Sequence, residues 1–196
     1  MKKIPQNDQV TAAETAEILR LAEQSVGVEG DFAELGCYRG DTSVLLGKLL
    51  QKTPKHLWIY DSFAGLPAKT NEDSSGAGAN FQAGELLVSK REVVEKLRRA
   101  GLKNVVIKKA WFDQLTAGDL PGQIAFAFCD GDLYTSIKTS LKLVVPRLAD
   151  QGIIVVHDYN NPELPGSARA VDEFLHIHSE FKLKIYHTLA ILTKKC

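Results

Sequence analysis

Residues 30–43 read GDFAELGCYRGDTS, a pattern that predicts a buried strand, a glycine turn and the start of a helix. Phe32, Ala33 and Leu35 suit the strand, and the leucines and valine of 44–50 give the helix an apolar side. Gly36 and Gly40 allow a tight turn, so that the N–H groups of the helix start can face a ligand. We therefore predict a small-molecule site here. A plain strand–turn–helix is the alternative.

The chemistry of this turn favours S-adenosylmethionine over a dinucleotide. In a dinucleotide-binding turn the second glycine lets the backbone approach a pyrophosphate, and Tyr38 occupies that place here. S-adenosylmethionine has no phosphate: its ammonium group suits the carboxylate of Glu34, and its carboxylate suits the helix N-terminus. The candidate cofactor residues in this stretch are Glu34, Gly36, Cys37, Tyr38, Gly40, Thr42 and Ser43.

Two further strands add candidates for the cofactor site. The strand at 56–60 ends in Asp61, at about the spacing from Gly40 at which an acid reaches a ribose hydroxyl; capping its own loop is the alternative. Ser62 follows it. The strand at 104–108 leads to Ala110 and Trp111, and the indole of Trp111 either stacks on a purine or fills the core.

Acidic residues also follow the fourth and fifth predicted strands. The strand at 124–129 ends in Asp130, and Asp132 is predicted to cap the next helix, which leaves Asp130 free. The strand at 152–156 ends in His157 and Asp158. Alternating strands and helices predict a parallel sheet covered on both faces, with ligands at the carboxyl ends of its strands. The residues expected to meet there are Glu34, Asp61, Asp130, His157 and Asp158.

Composition narrows the class of protein. With 196 residues and 44% hydrophobic content the chain suits one α/β domain, and its 24 basic and 24 acidic residues create no net field for nucleic acid or a membrane. Its three cysteines are far apart, which argues for a reducing compartment and against structural zinc. Residues 1–8 are polar, and no apolar run is long enough to span a bilayer. We expect a cytoplasmic protein.

The chain divides into an N-terminal helical cap at 1–27 and a Rossmann-like domain at 28–196. The cap begins with the capping-box pair Thr11 and Glu14, and its helix could cover the ligand or a partner subunit of a homo-oligomer. Residues 65–84 are rich in glycine, alanine and serine, which is typical of a lid over a site. Segments 181–186 and 188–193 predict an antiparallel pair of strands.

In these pieces the chain resembles the class I S-adenosylmethionine-dependent methyltransferases, and more narrowly the macrocin O-methyltransferase family. The matching segments are ELGCYRG at 34–40, DSFAGLP at 61–67, WF at 111–112, DGDLY at 130–134, DY at 158–159, and PG at 165–166 with RAVD at 169–172. The resemblance implies a Rossmann-like fold with a mostly parallel seven-stranded sheet, helices on both faces and an antiparallel C-terminal strand. It also implies methyl transfer to the hydroxyl of a small molecule, such as a sugar or another natural product.

The resemblance further implies a divalent ion, usually magnesium, on an aspartate after strand four and an Asp–Asp pair after strand five. Asp130 and Asp158 match two of these positions, but His157 stands at the third, and imidazole suits zinc, iron or nickel better than magnesium. The ion therefore differs, is held more weakly or is absent. Ala110 also replaces a glycine of the family.

The resemblance makes Asp130, His157 and Asp158 the candidate catalytic residues. A metal there would activate the hydroxyl, or Asp130 or His157 would act as general base. The alternatives are transfer to a different acceptor atom, a different reaction on the same fold and cofactor, or a cofactor-binding protein without turnover. The matching segments span 28–178 and leave the acceptor open.

Overall fold

The computed structural model describes residues 9–74 and 81–195. Within this part of the chain, helices alternate with strands along most of the sequence. The helices are α1 (Ala12–Gln24), α2 (Asp41–Leu50), α3 (Lys90–Arg99), α4 (Tyr134–Val144) and α5 (Pro165–Ile177). The strands are β1 (Asp31–Leu35), β2 (Leu57–Asp61), β3 (Val105–Lys109), β4 (Ile124–Cys129), β5 (Leu148–Val156), β6 (Phe181–Tyr186) and β7 (Leu189–Lys194).

The strands form one seven-stranded sheet in the order β3-β2-β1-β4-β5-β7-β6. Strands β1 to β5 pair in parallel, whereas β7 runs antiparallel to both β5 and β6. The predicted mostly parallel sheet with an antiparallel C-terminal strand is confirmed. The strand order reverses beside β1, the position at which open α/β sheets bind ligands beyond the strand ends.

Helices cover both faces of the sheet because residues alternate between the faces along each strand. On β4, Phe126 and Phe128 pack with α1, α2 and α3, whereas Ala127 and Cys129 pack with α4 and α5. The capping box of α1 is present, and its buried residue Ile18 belongs to the same core cluster as the apolar residues of α2. No helix of the described residues is long and apolar enough to cross a membrane.

Two predicted details are wrong. Strand β5 begins at Leu148 rather than at residue 152. Asp132 does not cap α4, because it takes a left-handed conformation (φ +59°) and the N-cap is Leu133, which makes no side-chain cap bond. The acceptor comes from another part of the chain: Asp73 Oδ1 accepts a hydrogen bond of 2.7 Å from the backbone N–H of Tyr134. A distant carboxylate therefore replaces the local cap.

Candidate active site

A cavity of about 450 Å³ lies where the carboxyl ends of the central strands meet the loops that follow them. It collects most of the residues predicted for the site. Those that line it are Gly36, Tyr38, Asp61, Ser62, Ala110, Trp111, Asp130, His157 and Asp158. Glu34, Cys37, Gly40, Thr42 and Ser43 do not line it; they lie on the same strand, turn and helix.

The glycine turn brings the ends of β1 and β4 into contact. Gly36 has φ +91°, and a Cβ atom placed on it would lie 1.8 Å from the backbone oxygen of Asp130. Gly40 (φ +73°) is the N-cap of α2, and between them Tyr38 also takes a positive φ of 44°. A side chain at position 36 would push Asp130 away, so this glycine sets the distance between the turn and the acidic residues.

The side chain of Asp61 binds the backbone of the glycine turn between β1 and α2. Its Oδ2 accepts hydrogen bonds from the backbone N–H of Cys37 at 2.9 Å and of Tyr38 at 3.4 Å, and its Oδ1 accepts one from Phe63 at 2.7 Å. The loop-capping alternative is therefore present in the structure. Because the carboxylate also lines the cavity, the ribose contact stays a prediction.

Glu34 is fully buried, and neither of its carboxyl oxygens has a hydrogen-bond partner among the described residues. Burial and, to a smaller extent, the negative charges of Asp130 and Asp61 raise the pKa of Glu34 to about 8, although the nearby Ser43 hydroxyl opposes this rise. The side chain is therefore largely protonated at neutral pH in the ligand-free protein. Its contact with a ligand ammonium group stays a prediction.

The structure brings Asp130, His157 and Asp158 together at one point of the cavity wall, as predicted. His157 Nδ1 lies 3.1 Å from Asp130 Oδ1 and 2.9 Å from Asp158 Oδ2, and one ligand atom from each residue falls within 4.8 Å of the others. Nδ1 is buried and makes no hydrogen bond of acceptable geometry with the described residues. An imidazole nitrogen so close to two carboxylate oxygens fits a divalent cation that accepts nitrogen ligands.

The environment of His157 alters its protonation. Burial alone would lower the pKa of the imidazole, but the carboxylates of Asp130, Asp158 and Glu14 outweigh burial and raise the pKa well above its ordinary value. In the metal-free protein the ring is therefore an imidazolium ion at neutral pH. A general base must be unprotonated. His157, with its raised pKa, therefore does not meet this condition in the metal-free site.

Glu14 is a residue of this region that the sequence predicted only as a helix cap. It does close the capping box, since Oε2 accepts hydrogen bonds from Thr11 N at 3.1 Å and Thr11 Oγ1 at 2.7 Å. Its Oε1 accepts two more, from Thr188 N at 3.1 Å and Thr188 Oγ1 at 2.5 Å, and Oε2 lies 3.9 Å from His157 Nε2. The capping-box motif was the only signal, because Thr188 lies 174 residues away.

Asp132 is a second residue that sequence reasoning missed at this site, because it was assigned to the helix cap. It lines the cavity close to Asp130 and Asp158. Burial raises the pKa of its carboxyl group well above the ordinary value, and the negative charges of those two neighbours add to the effect. Asp132 is therefore a further acidic side chain beside Asp130 and Asp158.

The loop at 65–84 forms one wall of the cavity in its described parts. Leu66 and Gly84 pair through the backbone (Gly84 N–H to Leu66 O, 2.9 Å), and Leu66 packs with Leu133 and Leu164. Leu66, Pro67, Phe81 and Leu86 line the cavity. Residues 75–80, the middle of the predicted lid, lie outside the described residues. Lid closure stays a prediction.

Trp111 lines the cavity and is a member of no core cluster of the described residues, whereas its neighbours Ala110 and Phe112 pack against the core. The indole is therefore not part of the core clusters of the described residues, and its stacking on a ligand stays a prediction.

Comparison with known proteins gives a family and several relatives. The TylF macrocin-O-methyltransferase family matches residues 14–185. An 8-demethyl-8-(2,3-dimethoxy-alpha-L-rhamnosyl)-tetracenomycin-C 4'-O-methyltransferase of Streptomyces olivaceus is 31% identical over 68% of this chain and 54% of its own length. The demethyldecarbamoylnovobiocin O-methyltransferase of Streptomyces niveus is 28% identical over 80% of this chain and 63% of its own length. The match to this chain thus covers between 54% and 63% of the length of these two relatives.

Solved structures agree with the fold. The O-methyltransferase NovP is similar with a TM-score of 0.82 and 25% identity, over 95% of this chain and 81% of that one. The calicheamicin methyltransferase CalS11 has a TM-score of 0.76 at 20% identity, over 91% of this chain and 77% of that one, which supports the fold alone.

Proposed function

The chain belongs to the macrocin O-methyltransferase (TylF) family, and from this premise we propose that it transfers a methyl group from S-adenosylmethionine to a hydroxyl group of a small molecule. The observation that carries the proposal is that the glycine turn and the cluster of Asp130, His157 and Asp158 line one cavity. A methyl donor on the turn would meet an acceptor on the cluster. The names of the two curated relatives give a rhamnosyl-tetracenomycin and demethyldecarbamoylnovobiocin as their substrates, which makes a hydroxyl of such a natural product the first acceptor class to test.

For the cofactor we propose contacts on the turn side of the cavity. Gly36 and Tyr38 would face the amino-acid portion, the Asp61 carboxylate would accept from the ribose hydroxyls, and the Trp111 indole would stack on the adenine. Bound S-adenosylmethionine supplies the electrophilic methyl group. The walls of the cavity would hold the acceptor oxygen in line with it and exclude water, which contributes much of the rate in such reactions.

On the acceptor side we propose that Asp130, His157 and Asp158 hold a divalent cation that prefers a nitrogen ligand, such as zinc or iron. Such a cation would lower the pKa of a hydroxyl that it contacts. Asp130, whose side chain is 20% exposed, is the proposed acceptor of the hydroxyl proton; Asp158 (8%) and His157 (6%) are more deeply buried and would orient the site.

We further propose that the protein is cytoplasmic, with no nucleic-acid or membrane partner and with the cap at 1–27 available for a homo-oligomer contact. The balanced charge supports this, as do Cys37 and Cys129, which are buried and free. Cys196 lies outside the described residues.

Calorimetric titration tests the cofactor assignment. S-adenosylmethionine and S-adenosylhomocysteine should bind, and NAD should not. Asp61→Ala should weaken binding by about 1–3 kcal/mol, whereas Asp150→Ala, at a fully exposed carboxylate on β5, should change nothing. Tighter binding of NAD would contradict the proposal.

Metal content tests the cation site separately from turnover. The purified protein should bind one equivalent of zinc or cobalt(II), measured by elemental analysis and by the cobalt absorption spectrum. His157→Asp should shift the preference toward magnesium. If cobalt binds equally well to wild type and to Asp130→Asn, the cluster is not the metal site.

A further inference from the structure

The cavity is strongly acidic. Five aspartates line it: Asp61, Asp113, Asp130, Asp132 and Asp158. Among the residues that the structure describes, no lysine or arginine lines it. Its only other ionisable side chains in the described lining are His157, which faces two of those carboxylates, and Tyr38.

Two basic residues on helices near the cavity, Lys138 and Arg169, are bound elsewhere. On α4, Lys138 Nζ lies 3.0 Å from the carboxylate of Glu173 and donates to the hydroxyl of Tyr134. On α5, Arg169 donates to the backbone oxygens of Asn71 and Glu72. Lys138 therefore links α4 to α5, and Arg169 binds the loop at residues 71–72; neither side chain lines the cavity.

A helix N-terminus is the usual alternative to a basic side chain for binding a phosphate. The first turn of α4 borders the cavity through Thr135 and Ser136, but its first N–H, that of Tyr134, already donates to the carboxylate of Asp73. The same Asp73 oxygen also lies close to the first turn of α5. A Cβ atom placed on Gly166 in that turn would be only 1.9 Å from it. The Asp73 carboxylate thus occupies the position at both helix N-termini that a phosphate would need.

We infer that the acceptor is a neutral or cationic hydroxyl compound, and that phosphorylated, carboxylated or nucleotide-diphosphate-linked acceptors are excluded. This inference rests on the proposed function of the same cavity. A divalent cation on the cluster would offset two negative charges, and the cofactor has one net positive charge. Within residues 9–74 and 81–195 the loaded site still lacks a cationic side chain to pair with a phosphate, and buried anions need such partners or equivalent hydrogen bonds.

Thymidine diphosphate is a direct probe of the excluded class. Calorimetry should detect S-adenosylhomocysteine binding and no thymidine diphosphate binding at millimolar concentration, in the presence of S-adenosylhomocysteine and zinc. Thr139→Lys, which places a cation on the cavity wall, should bind thymidine diphosphate at least tenfold more tightly than its uncharged control Thr139→Gln. Micromolar binding of thymidine diphosphate by the wild type would overturn the inference.

A second experiment uses the unknown acceptor itself. The protein is incubated with methyl-labelled S-adenosylmethionine and a small-molecule extract of the source organism. The labelled products are separated from unreacted S-adenosylmethionine by reversed-phase chromatography and are then passed over an anion exchanger at pH 7. Labelled product should appear unretained, with at least tenfold more label than the retained fraction, and phosphatase treatment of the extract beforehand should not reduce it. Retained product, or its loss after phosphatase, would overturn the inference. A protein that binds no S-adenosylhomocysteine would contradict the proposed function instead.

Discussion

Replacing Glu14 by glutamine tests whether the first helix is part of the active-site framework. The Glu14 side chain is 2% exposed and accepts four hydrogen bonds, two from Thr11 in the capping box and two from Thr188 in the β6–β7 turn. It also faces Nε2 of His157 at 3.9 Å. Glutamine has nearly the same shape, but it offers one acceptor oxygen and one NH₂ donor in place of two acceptors.

The expected loss of stability follows from these contacts. Whichever way the amide is oriented, its NH₂ group faces one threonine, whose hydroxyl can rotate to accept but whose backbone N–H cannot. One buried N–H is then unsatisfied, which costs about 1–3 kcal/mol, and the remaining hydrogen bonds lose the charge of their acceptor. We expect Glu14→Gln to lower the free energy of unfolding by about 2–4 kcal/mol in total.

Urea unfolding at pH 7 measures this difference. The matched control is Glu92→Gln, because Glu92 closes the same kind of capping box with Ser89 on α3 but is exposed to solvent. Its effect should be clearly smaller. The additional loss of unfolding free energy in the Glu14 variant, relative to this control, measures the contribution of the contacts with Thr188 and His157.

Equal losses in the two variants would refute the reasoning, because the capping box alone would then account for Glu14. The cobalt(II) spectrum adds a local readout. If Glu14 helps to hold the His157 ring, the spectrum of Glu14→Gln should differ from that of the wild type, whereas the Glu92 variant should match the wild type.

Three further variants test other parts of the site. Gly36→Ala should destabilise the fold by about 3 kcal/mol or more, measured by urea unfolding, because its Cβ would meet the Asp130 backbone oxygen at 1.8 Å. The control is Gly84→Ala, because Gly84 has a similar φ of +87° but a Cβ atom there would have no atom within 4 Å; this variant should lose only about 1 kcal/mol. Asp73→Ala should cost about 2–3 kcal/mol in thermal unfolding because it removes the cap of α4 and the bonds to Thr70, and an unchanged melting temperature would contradict this. Glu34→Gln should alter the pH dependence of stability. A native pKa of about 8 against 4.5 in the unfolded chain means that Glu34 makes the wild type lose up to about 4 kcal/mol of stability as pH rises from 4.5 to 8, and the variant should lack this part of the loss. Parallel pH profiles of wild type and variant would show that Glu34 ionises normally.

The arrangement of the candidate site could be predicted well from the chain because it depends on strand ends. Asp61, Asp130 and His157 each end or follow an apolar strand, and the carboxyl ends of parallel strands meet at one edge of a sheet. Strand and helix positions follow from alternation and caps, which are local patterns. The start of β5 was missed because the exposed polar residues Asp150 and Gln151 interrupt the apolar run.

The sequence by itself determined the α/β class, the order of the elements, the turn at Gly36 and the residues that gather at the strand ends. Only the tertiary structure decided which acceptor serves which donor. Asp132 sits beside α4 in the sequence, yet Asp73, 61 residues from Tyr134, provides the cap; Glu14 caps its own helix and also binds Thr188. A buried carboxylate can accept several hydrogen bonds, and the path of the folded chain decides which N–H groups lie within 3 Å of it. Local patterning contains no information about that path.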